Sequence, residues 1–458
     1  MATPTQNTID TARVSSFAAG SGTGLLFGDK WGPGKAGAGV TLTWSVPQGT
    51  AWYDNNYSYY GEWRQWYIFS ATEIAGAQKA LKAWDLVSNV AFRRVADDAA
   101  TVGEIRFAKT AYTMPYSDAH GYMPADVPRS GDVWMNIDKW NLNGSDANRP
   151  GTYAYFTLLH EIGHALGLKH SFESSIYNNS TVPSTNDHWF FTVMSYTAGP
   201  WSSSARPDFF PTTPMYFDLL AIQHLYGRDT TTNTGNNTYT FRDTQKYWQT
   251  IHDAGGKDTI VASGSIGSTI NLNPGKWNKL GAAIIFTDGM QSRDTVMIGP
   301  GVVIENASGG NGADGITGNS SSNTLKGNAG NDTIKGGSGN DILFGGSGND
   351  ILAGGSGQDR FYFDKRPSGI DVDRITDFNV KDDTIYLDDA AFGLKKGILS
   401  KAAFRLGANA KDTSDRIVYD KATGALYFDP DGIGSAEKIK FATLPKKLAL
   451  TVADFLVY

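Results

Sequence analysis

The sequence predicts two domains of different fold class: an α+β domain over residues 1–240 and an all-β domain, a parallel β-roll or sandwich, over residues 241–458. In the first part, apolar residues recur with both helix and strand periods. From about Asn236 the composition changes to Gly, Asn, Asp and Thr with short apolar runs. A nine-residue repeat then recurs six times, which is typical of a repeat architecture. At 458 residues the chain is long enough for two hydrophobic cores.

Helices and strands are predicted in the first part from the spacing of its apolar residues. The clearest helix covers residues 70–91, where apolar side chains recur every three or four positions. A second helix, bounded upstream by Pro150 and Gly151, runs into the segment HEIGHALGLKH, which begins at His160, and a third covers residues 215–226. Alternating or β-rich runs predict strands of a half-buried sheet at residues 39–44, 104–108 and 132–137.

The repeat has the form GGxGxDxUx, where U is a large apolar residue, and the first of its six consecutive units starts at Gly309. Glycine permits a positive-φ turn, the Asp at position six supplies a carboxylate, and the apolar residue at position eight points into a core. The residues at position eight are Ile316, Leu325, Ile334, Leu343, Leu352 and Phe361. A flexible linker would need no apolar residue at every ninth position, so we predict a two-sheet parallel roll.

If two repeats form one coil, each turn stacks on the repeat two units away and two columns result. One column passes through Asp314, Asp332 and Asp350, and the other through Asn323, Asp341 and Asp359. Carbonyls and carboxylates of stacked turns would bind several Ca²⁺ ions between them. The predicted calcium ligands are Gly310, Gly312, Asp314, Asn328, Gly330, Asp332, Gly337, Gly339, Asp341, Gly346, Gly348, Asp350, Gly355, Gly357 and Asp359. Because Asn323 replaces the consensus Asp, we expect a weaker or differently ligated site in its unit.

Composition excludes several classes of protein. The formal net charge is −6 with no Lys/Arg cluster, so we expect no nucleic-acid partner. No apolar run approaches the roughly 18 residues of a membrane span. Only 7 of the 46 acidic residues are Glu, and the abundant Asp suits tight turns and calcium sites. The absence of Cys excludes disulfides, thiolate metal sites and cysteine nucleophiles.

The segment HEIGHALGLKH predicts a zinc site with three histidine ligands. On a helix, His160 and His164 lie one above the other, so both imidazoles can reach one ion, with Glu161 beside them. Gly167 can end the helix in a left-handed turn and bring His170 back to the same point. Three His and a water form a tetrahedral catalytic Zn²⁺ site. By chance the full pattern would occur about once in a few hundred thousand such sequences.

A second motif follows the zinc motif. In FTVMSYTAG, the surroundings of Met194 resemble a methionine turn, the tight turn that supports the histidines of metzincins. Alone, a buried core methionine would be the simpler interpretation. We treat the remaining histidines, which share no pattern, as ordinary residues: His120, His188, His224 and His252.

Zinc motif, methionine turn and calcium nonapeptides together resemble the serralysins, a family of secreted bacterial metzincin peptidases with a C-terminal calcium β-roll. The similarity extends over nearly the whole chain. Shorter stretches also agree, including LLFGDKW at Leu25, AIQHLYG at Ala221, GPGVVIENASGG at Gly299 and RIVYDKATGALYFDPDG at Arg416. Two features depart from the family: Ser171 follows the third histidine where the family often has Pro, and residues 172–189 differ from its usual loop.

The resemblance implies the architecture and the cellular route. Residues 1–240 would form a metzincin catalytic domain with a twisted mixed sheet and helices, and residues 241–458 an RTX calcium-binding β-roll with a C-terminal secretion signal. The final residues ADFLVY resemble the family's uncleaved export signal, whereas the N-terminal stretch lacks the basic and apolar segments of a secretory signal peptide. We therefore expect a monomer exported by a type I (ABC exporter) apparatus to the extracellular medium, with a periplasmic protein inhibitor as a further partner the resemblance allows.

The expected activity is hydrolysis of peptide bonds with broad specificity. Zn²⁺ would polarise the scissile carbonyl and activate water, and Glu161 would take the water's proton and pass it to the leaving amine. By resemblance, Tyr196 would stabilise the oxyanion. Extended substrate would pair with an edge strand, for which residues 119–124 are the candidate. The alternatives are a calcium-roll adhesion protein with a vestigial zinc site and a metzincin that cleaves one dedicated partner.

Overall fold

The computed structural model describes residues 9–14, 21–51, 53, 57–111, 117–138, 146–202 and 204–458. Most of the N-terminal stretch used to judge a signal peptide lies outside these residues. The chain forms two compact units. The first contains Met1–Thr234 with Lys246–Ala254 and Ala283–Val302, and the second contains Gly235–Gln245, Gly255–Ala282 and Val303–Tyr458. The predicted boundary between residues 240 and 241 stays a prediction.

Four helices are present in the described residues: α1 (Ala71–Asp85), α2 (Tyr153–Ala165), α3 (Tyr216–Tyr226) and α4 (Asp389–Phe392). The strands of the first half are β1 (Thr11–Arg13), β2 (Asp29–Trp31), β3 (Val40–Ser45), β4 (Trp66–Tyr67), β5 (Val90–Arg94), β6 (Ile105–Thr110), β7 (Ala119–Gly121) and β8 (Val133–Asn136). They are followed by β9 (Thr238–Arg242), β10 (Gln249–Ile251), β11 (Thr259–Ser263), β12 (Thr269–Asn271), β13 (Trp277–Ile285), β14 (Gln291–Ile298) and β15 (Asn306–Ser308). Among the described helices, none has the length and apolar character needed to cross a bilayer.

The remaining strands belong to the repeat region and to the C-terminal segment after it. They are β16 (Gly315–Thr317), β17 (Thr324–Ala329), β18 (Thr333–Ser338), β19 (Ile342–Ser347), β20 (Ile351–Ser356), β21 (Arg360–Phe363), β22 (Asp373–Ile375) and β23 (Thr384–Leu387). The last six are β24 (Gly397–Ile398), β25 (Phe404–Leu406), β26 (Ile417–Asp420), β27 (Ala425–Phe428), β28 (Ile439–Thr443) and β29 (Phe455–Val457).

The first unit is built around a mixed sheet with the strand order β5-β3-β6-β8-β7. The strands β5, β3, β6 and β8 are parallel, and β7 runs antiparallel to β8 at the end of the order. Every residue of β6 and β8 is buried, so the expectation of half-buried strands is wrong for these two. Central parallel strands have both faces covered, which explains their near-continuous burial.

Helix α1 is shorter than its periodicity predicts. A capping box starts it, in which Ser70 and Glu73 satisfy each other's backbone N–H groups. The helix ends at Asp85, whereas the periodic pattern runs to residue 91, so its predicted C-terminal part is wrong. The pairing of Val90 with Val40 across β5 and β3 turns these last residues into a strand. Val87 fits the helical spacing but is buried in the intervening turn.

The second unit contains the roll predicted from the nonapeptides. Successive repeats alternate between two sheets: β15, β17, β19, β21 and β23 are neighbours in one, and β12, β16, β18, β20 and β22 in the other. Strands from repeats two units apart pair in parallel, with Leu325 opposite Leu343 and Ile334 opposite Leu352. All six apolar residues at position eight are at most 1% exposed. The parallel roll therefore has the core ladder that the repeat predicts.

Candidate metal centre

Helix α2 presents the first two predicted zinc ligands. Thr152 caps it by accepting a hydrogen bond from the Tyr155 N–H, and the helix is buried along almost its whole length. His160 and His164 are four residues apart, so both rings leave the same face. Gly167 has φ +99° and allows the chain to reverse after the helix. This turn brings His170 back beside the first two rings.

The three histidines converge on one point. The Nε2 atom of His164 lies 3.1 Å from that of His160 and 3.0 Å from that of His170. Such separations suit nitrogens that share one ion at about 2.0–2.1 Å. Among the described residues, these three form the single group of three or more His, Asp or Glu side chains close enough to hold a metal.

The protonation state of the cluster also suits a metal. Burial lowers the pKa of His160 to about 3, with the nearby His170 as the second cause. Burial likewise lowers the pKa values of His164 and His170. Neutral imidazoles carry the free electron pair that a metal needs. The Nε2 atom of His164 lies about 3 Å from each of the other two, and free electron pairs this close repel each other unless a cation lies between them, so the residues fit a zinc ion.

Glu161 lies next to the cluster and is 6% exposed. Burial raises its pKa to about 8. A hydrogen bond from the Gly121 N–H lowers this pKa, and the charge of Asp118 raises it further. A dication close by would favour the ionised carboxylate and oppose this shift. Glu161 is therefore placed to exchange protons at neutral pH once a metal is bound.

The methionine turn lies beneath the helix that carries the histidines. Met194 is fully buried, and its sulfur lies only 2.5 Å from the position that a Cβ on Gly163 would take, so helix and turn are in close contact. The preceding residue, Val193, accepts a hydrogen bond from His160 Nδ1 at 2.7 Å. Tyr196 is 61% exposed, and its hydroxyl lies 2.8 Å from His170 Nε2. The turn thus brings both Met194 and Tyr196 to the histidine cluster.

Sequence reasoning missed the residue that fixes this turn. Asp218, in the first turn of α3, is fully buried and accepts hydrogen bonds from the Thr192 hydroxyl, the Val193 N–H and the Met215 N–H, all within 2.6–2.8 Å. Burial raises the pKa of Asp218 to about 7. The signal was the one acidic residue in a largely apolar helix.

Two cavities flank the site, and they meet at Glu161 and Tyr196. One, of about 480 Å³, is lined by Tyr153, Phe156, Trp189 and Arg206 among others. The other, of about 500 Å³, is lined mainly by aromatic and apolar side chains, including Phe27, Tyr60, His120 and Tyr122. Strand β7 runs along both, since Ala119 lines the two cavities. Together they form a cleft that passes the histidines.

In the second unit the predicted columns form through hydrogen bonds between main chain and carboxylate. The N–H of Asp314 donates to Asp332, and that of Asp332 donates to Asp350, at 2.7 and 2.8 Å. The other column repeats the pattern from Asn323 to Asp341 and from Asp341 to Asp359.

The turns of the roll stack closely on one another at their glycines. The Gly330 carbonyl oxygen lies 1.9 Å from the position that a Cβ on Gly348 would take, and the Gly339 carbonyl oxygen lies equally near the position of a Cβ on Gly357. Similar approaches join Gly346 to Asn328, Gly355 to Gly337 and Gly330 to Gly312.

Inside each column, carboxylates keep one oxygen without a hydrogen-bond partner in the described part of the chain. The buried Oδ2 atoms of Asp332, Asp341, Asp350 and Asp359 have none among the described residues. Burial raises the pKa values of Asp332 and Asp341 to about 7. Burying a carboxylate oxygen without a partner costs free energy, and carboxylate oxygens are among the ligands that Ca²⁺ prefers. These four positions therefore fit calcium.

The first turn of each column differs. Asp314 Oδ2 accepts a hydrogen bond from the Gly310 N–H at 2.6 Å. Asn323 is hydrogen-bonded through both ends of its amide, to the Asn319 N–H and the Glu305 carbonyl. Their side chains are thus already satisfied within the protein, and the weaker site expected at Asn323 stays a prediction.

Both columns continue beyond the recognised repeats. The Asp350 N–H donates to Asp373 at 3.0 Å, and the Asp359 N–H donates to Asp383 at 3.1 Å. Burial raises the pKa of Asp373 to about 8. Sequence analysis missed these two residues because the glycines of the repeat are absent there, although each begins the same Asp-x-Ile triplet.

Two known families match the chain, one over the histidine cluster and one over the aspartate columns. Residues 51–188 match the Matrixin peptidase family, and residues 308–343 and 326–361 match the RTX calcium-binding nonapeptide repeat. The matrixin match implies a catalytic zinc, and the repeats imply bound calcium.

Individual relatives carry the name serralysin. The chain is 35% identical to Serralysin C of Dickeya chrysanthemi over 266 residues, which is 54% of this chain and 53% of that protein. It is 35% identical to Serralysin A of the same organism over 264 residues, with the same coverage. It is 30% identical to Serralysin of Photorhabdus luminescens over 298 residues, 61% of this chain and 57% of that protein. The chain thus spans about half the length of the curated relatives it matches.

The histidine cluster of the first unit, the aspartate columns of the second and these matches agree: the chain carries a matrixin domain and RTX calcium-binding repeats, and it is homologous to the serralysins over about half of its length.

Proposed function

We propose that the protein is a secreted, extracellular zinc-dependent endopeptidase that hydrolyses peptide bonds of proteins with broad specificity. The observation that carries this proposal is the convergence of three neutral imidazoles beside a buried carboxylate, in a cleft along an edge strand. A vestigial site would be expected to have lost a ligand or Glu161, and the chain has all four groups.

Residues His160, His164 and His170 would hold zinc. When bound, the ion supplies a Lewis acid that polarises the scissile carbonyl and makes water nucleophilic near neutral pH. Glu161 takes the proton of the attacking water and delivers it to the leaving amine. The Tyr196 hydroxyl, beside His170, donates a hydrogen bond to the oxygen on which negative charge develops. Met194 supports the cluster from below.

Strand β7 supports substrate binding through the main chain. Among the described residues no further strand pairs with its outer edge, so an extended peptide can add there by backbone hydrogen bonds. Pairing of this kind depends little on side chains, which favours broad specificity. β7 runs from the cavity that Asp118 and Arg206 line towards the cavity that Tyr122 lines. An antiparallel peptide would therefore place the residues before its scissile bond near Tyr122 and those after it near Arg206.

Export by a type I apparatus, a monomeric state and a periplasmic inhibitor are parts of the proposal that rest on the serralysin relatives and the RTX repeats. The calcium columns support it physically. Calcium is abundant outside cells and scarce inside, so the roll would be stabilised by binding only after export.

Casein digestion tests the proposed activity. The purified protein loaded with zinc and calcium should digest casein, and Glu161→Gln should reduce the rate by about 10²–10⁴-fold because the proton carrier is lost. Zinc content of both proteins, measured by elemental analysis, should be near one per chain. Equal rates for the two proteins would remove Glu161 from its role. Cleavage of a single protein among many tested would instead favour a dedicated partner.

A further inference from the structure

The three histidines differ in what holds the nitrogen that faces away from the metal. His160 Nδ1 lies 2.7 Å from the Val193 carbonyl, and His164 Nδ1 lies 2.7 Å from the Leu168 carbonyl. Main-chain carbonyls in buried turns fix the orientation of these two rings. Among the described residues, no carbonyl accepts a hydrogen bond from His170 Nδ1.

At His170 Nδ1 a carboxylate side chain lies where the other two histidines have a main-chain carbonyl. The Oε2 atom of Glu173 lies 2.9 Å from His170 Nδ1, and the Glu173 side chain is 52% exposed. The two groups are at hydrogen-bond distance but not aligned, so a small rotation of either completes the bond. The third ring is thus held by a group that can move and that carries charge.

The segment bearing Glu173 is anchored to the rest of the domain. The buried ammonium of Lys169 donates to the Glu173 carbonyl and to the carbonyls of Gly24 and Ser180. The ring of Phe172 stacks on the imidazole of His170, with the two rings parallel within 4° and their centroids 5.2 Å apart. The main chain is therefore fixed while the carboxylate reaches the imidazole from solvent. This segment is the one that departs from the family loop.

We propose that Glu173 is the positioning residue for His170 and that its carboxylate sets the affinity of the site for zinc. A carboxylate on the remote nitrogen fixes the tautomer, orients the ring and makes Nε2 a stronger donor to a metal. The inference rests on the zinc site of the proposed function. It adds that one exposed side chain controls how firmly the third ligand binds.

The test measures zinc affinity of the full-length protein in saturating calcium, by competition with a chromogenic chelator. Loss of an outer-shell partner typically lowers metal affinity 10–100-fold. We expect the zinc Kd to rise about ten-fold for Glu173→Gln, which keeps an acceptor but loses the charge, and by more, up to about 100-fold, for Glu173→Ala. The matched control is Glu437→Gln, which changes an exposed Glu of the second unit and should leave the Kd unchanged.

Circular dichroism and melting of the zinc-free proteins establish that the variants are folded. If Glu173→Ala does not fold, the isosteric Glu173→Gln carries the test. The visible spectrum of the Co²⁺-loaded protein should also change in the variants, because it reports on ligand orientation. Zinc affinities within two-fold of the unchanged protein for both variants would overturn the role of Glu173 and leave the proposed peptidase intact. Failure of the unchanged protein to bind zinc would overturn both.

Discussion

Gly121 lies where the edge strand β7 packs closely against helix α2, which carries His160 and His164. A Cβ at this position would lie 2.5 Å from the Glu161 carbonyl oxygen and 3.0 Å from the His164 Cβ. The Gly121 N–H also forms a hydrogen bond to the Glu161 carboxylate and lowers the pKa of that group. No larger residue fits without moving β7 away from α2, and Glu161 and His164 both lie at that contact.

We expect Gly121→Ala to reduce kcat/KM for peptide substrates by about 100-fold, because a displacement of roughly 1 Å has that effect on a reaction that needs exact placement. Overpacking should also lower stability by about 1–3 kcal/mol. Gly235→Ala is the control, since a Cβ at Gly235 meets nothing within 4 Å. Steady-state kinetics and thermal melting check the prediction. Unchanged kinetics in Gly121→Ala would show that the strand can move without cost.

Asp218 should give the protein a pH-dependent stability of its own. Burial raises its pKa in the folded protein to about 7, whereas an Asp in the unfolded chain has a pKa of about 3.9. The folded state therefore binds the proton more tightly. The stabilisation from this proton is complete below pH 4 and is lost as the pH rises towards 7.

Asp218→Asn should remove that dependence, because an amide can accept from the Val193 and Met215 N–H groups and donate to Thr192. The melting temperature of the unchanged protein should fall relative to that of the variant between pH 4 and 7. Other buried carboxylates titrate in the same range, but they are common to both proteins and cancel in the difference. Parallel pH profiles would contradict the raised pKa.

At the scale of the element, each column of aspartates acts as a unit. Asp341 lies inside its column, where Oδ1 accepts the Asn323 N–H and Oδ2 has no partner among the described residues. Its neighbour Asp359 lies close enough for the two charges to repel. Calcium removes this repulsion, so the strands on either side of the turn depend on the ion.

We expect Asp341→Asn to bind fewer calcium ions and to need a higher calcium concentration for half-maximal folding of the roll, by about ten-fold, since ligand charge tunes calcium affinity. Without calcium the variant should be no less stable than the unchanged protein, because one repulsive charge is gone. Calcium titrations followed by circular dichroism measure both effects. Asp288→Asn, at an exposed position of the first unit, is the control. Equal calcium midpoints would exclude Asp341 as a ligand.

At the scale of the whole molecule, the two units should respond to different metals. The first unit has an apolar core around the mixed sheet and α2, whereas the second combines its apolar ladder with stacked carboxylates whose mutual repulsion a bound cation would relieve. Binding stabilises a folded state in proportion to the logarithm of ligand concentration over Kd. Chelation of calcium should therefore affect mainly the unit that holds the columns.

We expect EGTA to melt the C-terminal half, seen as loss of β-sheet signal in circular dichroism and as a separate, lower melting transition. A zinc-selective chelator should abolish proteolysis and leave most secondary structure, because the first unit retains its apolar core. Restoration of activity by added zinc is the control. An EGTA-treated protein with unchanged circular dichroism and melting would contradict the role of calcium.

The sequence by itself determined the features that depend on local spacing. The i, i+4 histidines share one helix face, and the nine-residue period places one buried apolar residue in each strand from β16 to β21. Both follow from the geometry of a single element or of identical repeats. The same local logic failed at residues 86–91, where pairing with β3 replaced the helix that the periodicity predicts.

Only the tertiary structure decided which distant residues complete the site. Asp218 fixes the methionine turn from another helix, Gly121 approaches Glu161 from an edge strand, and Asp373 extends a column that has lost its glycine motif. None of these partners has a fixed sequence distance from the residue it serves. The free energy of burying a carboxylate or closing a helix against a strand depends on what surrounds it, and a local pattern does not contain that information.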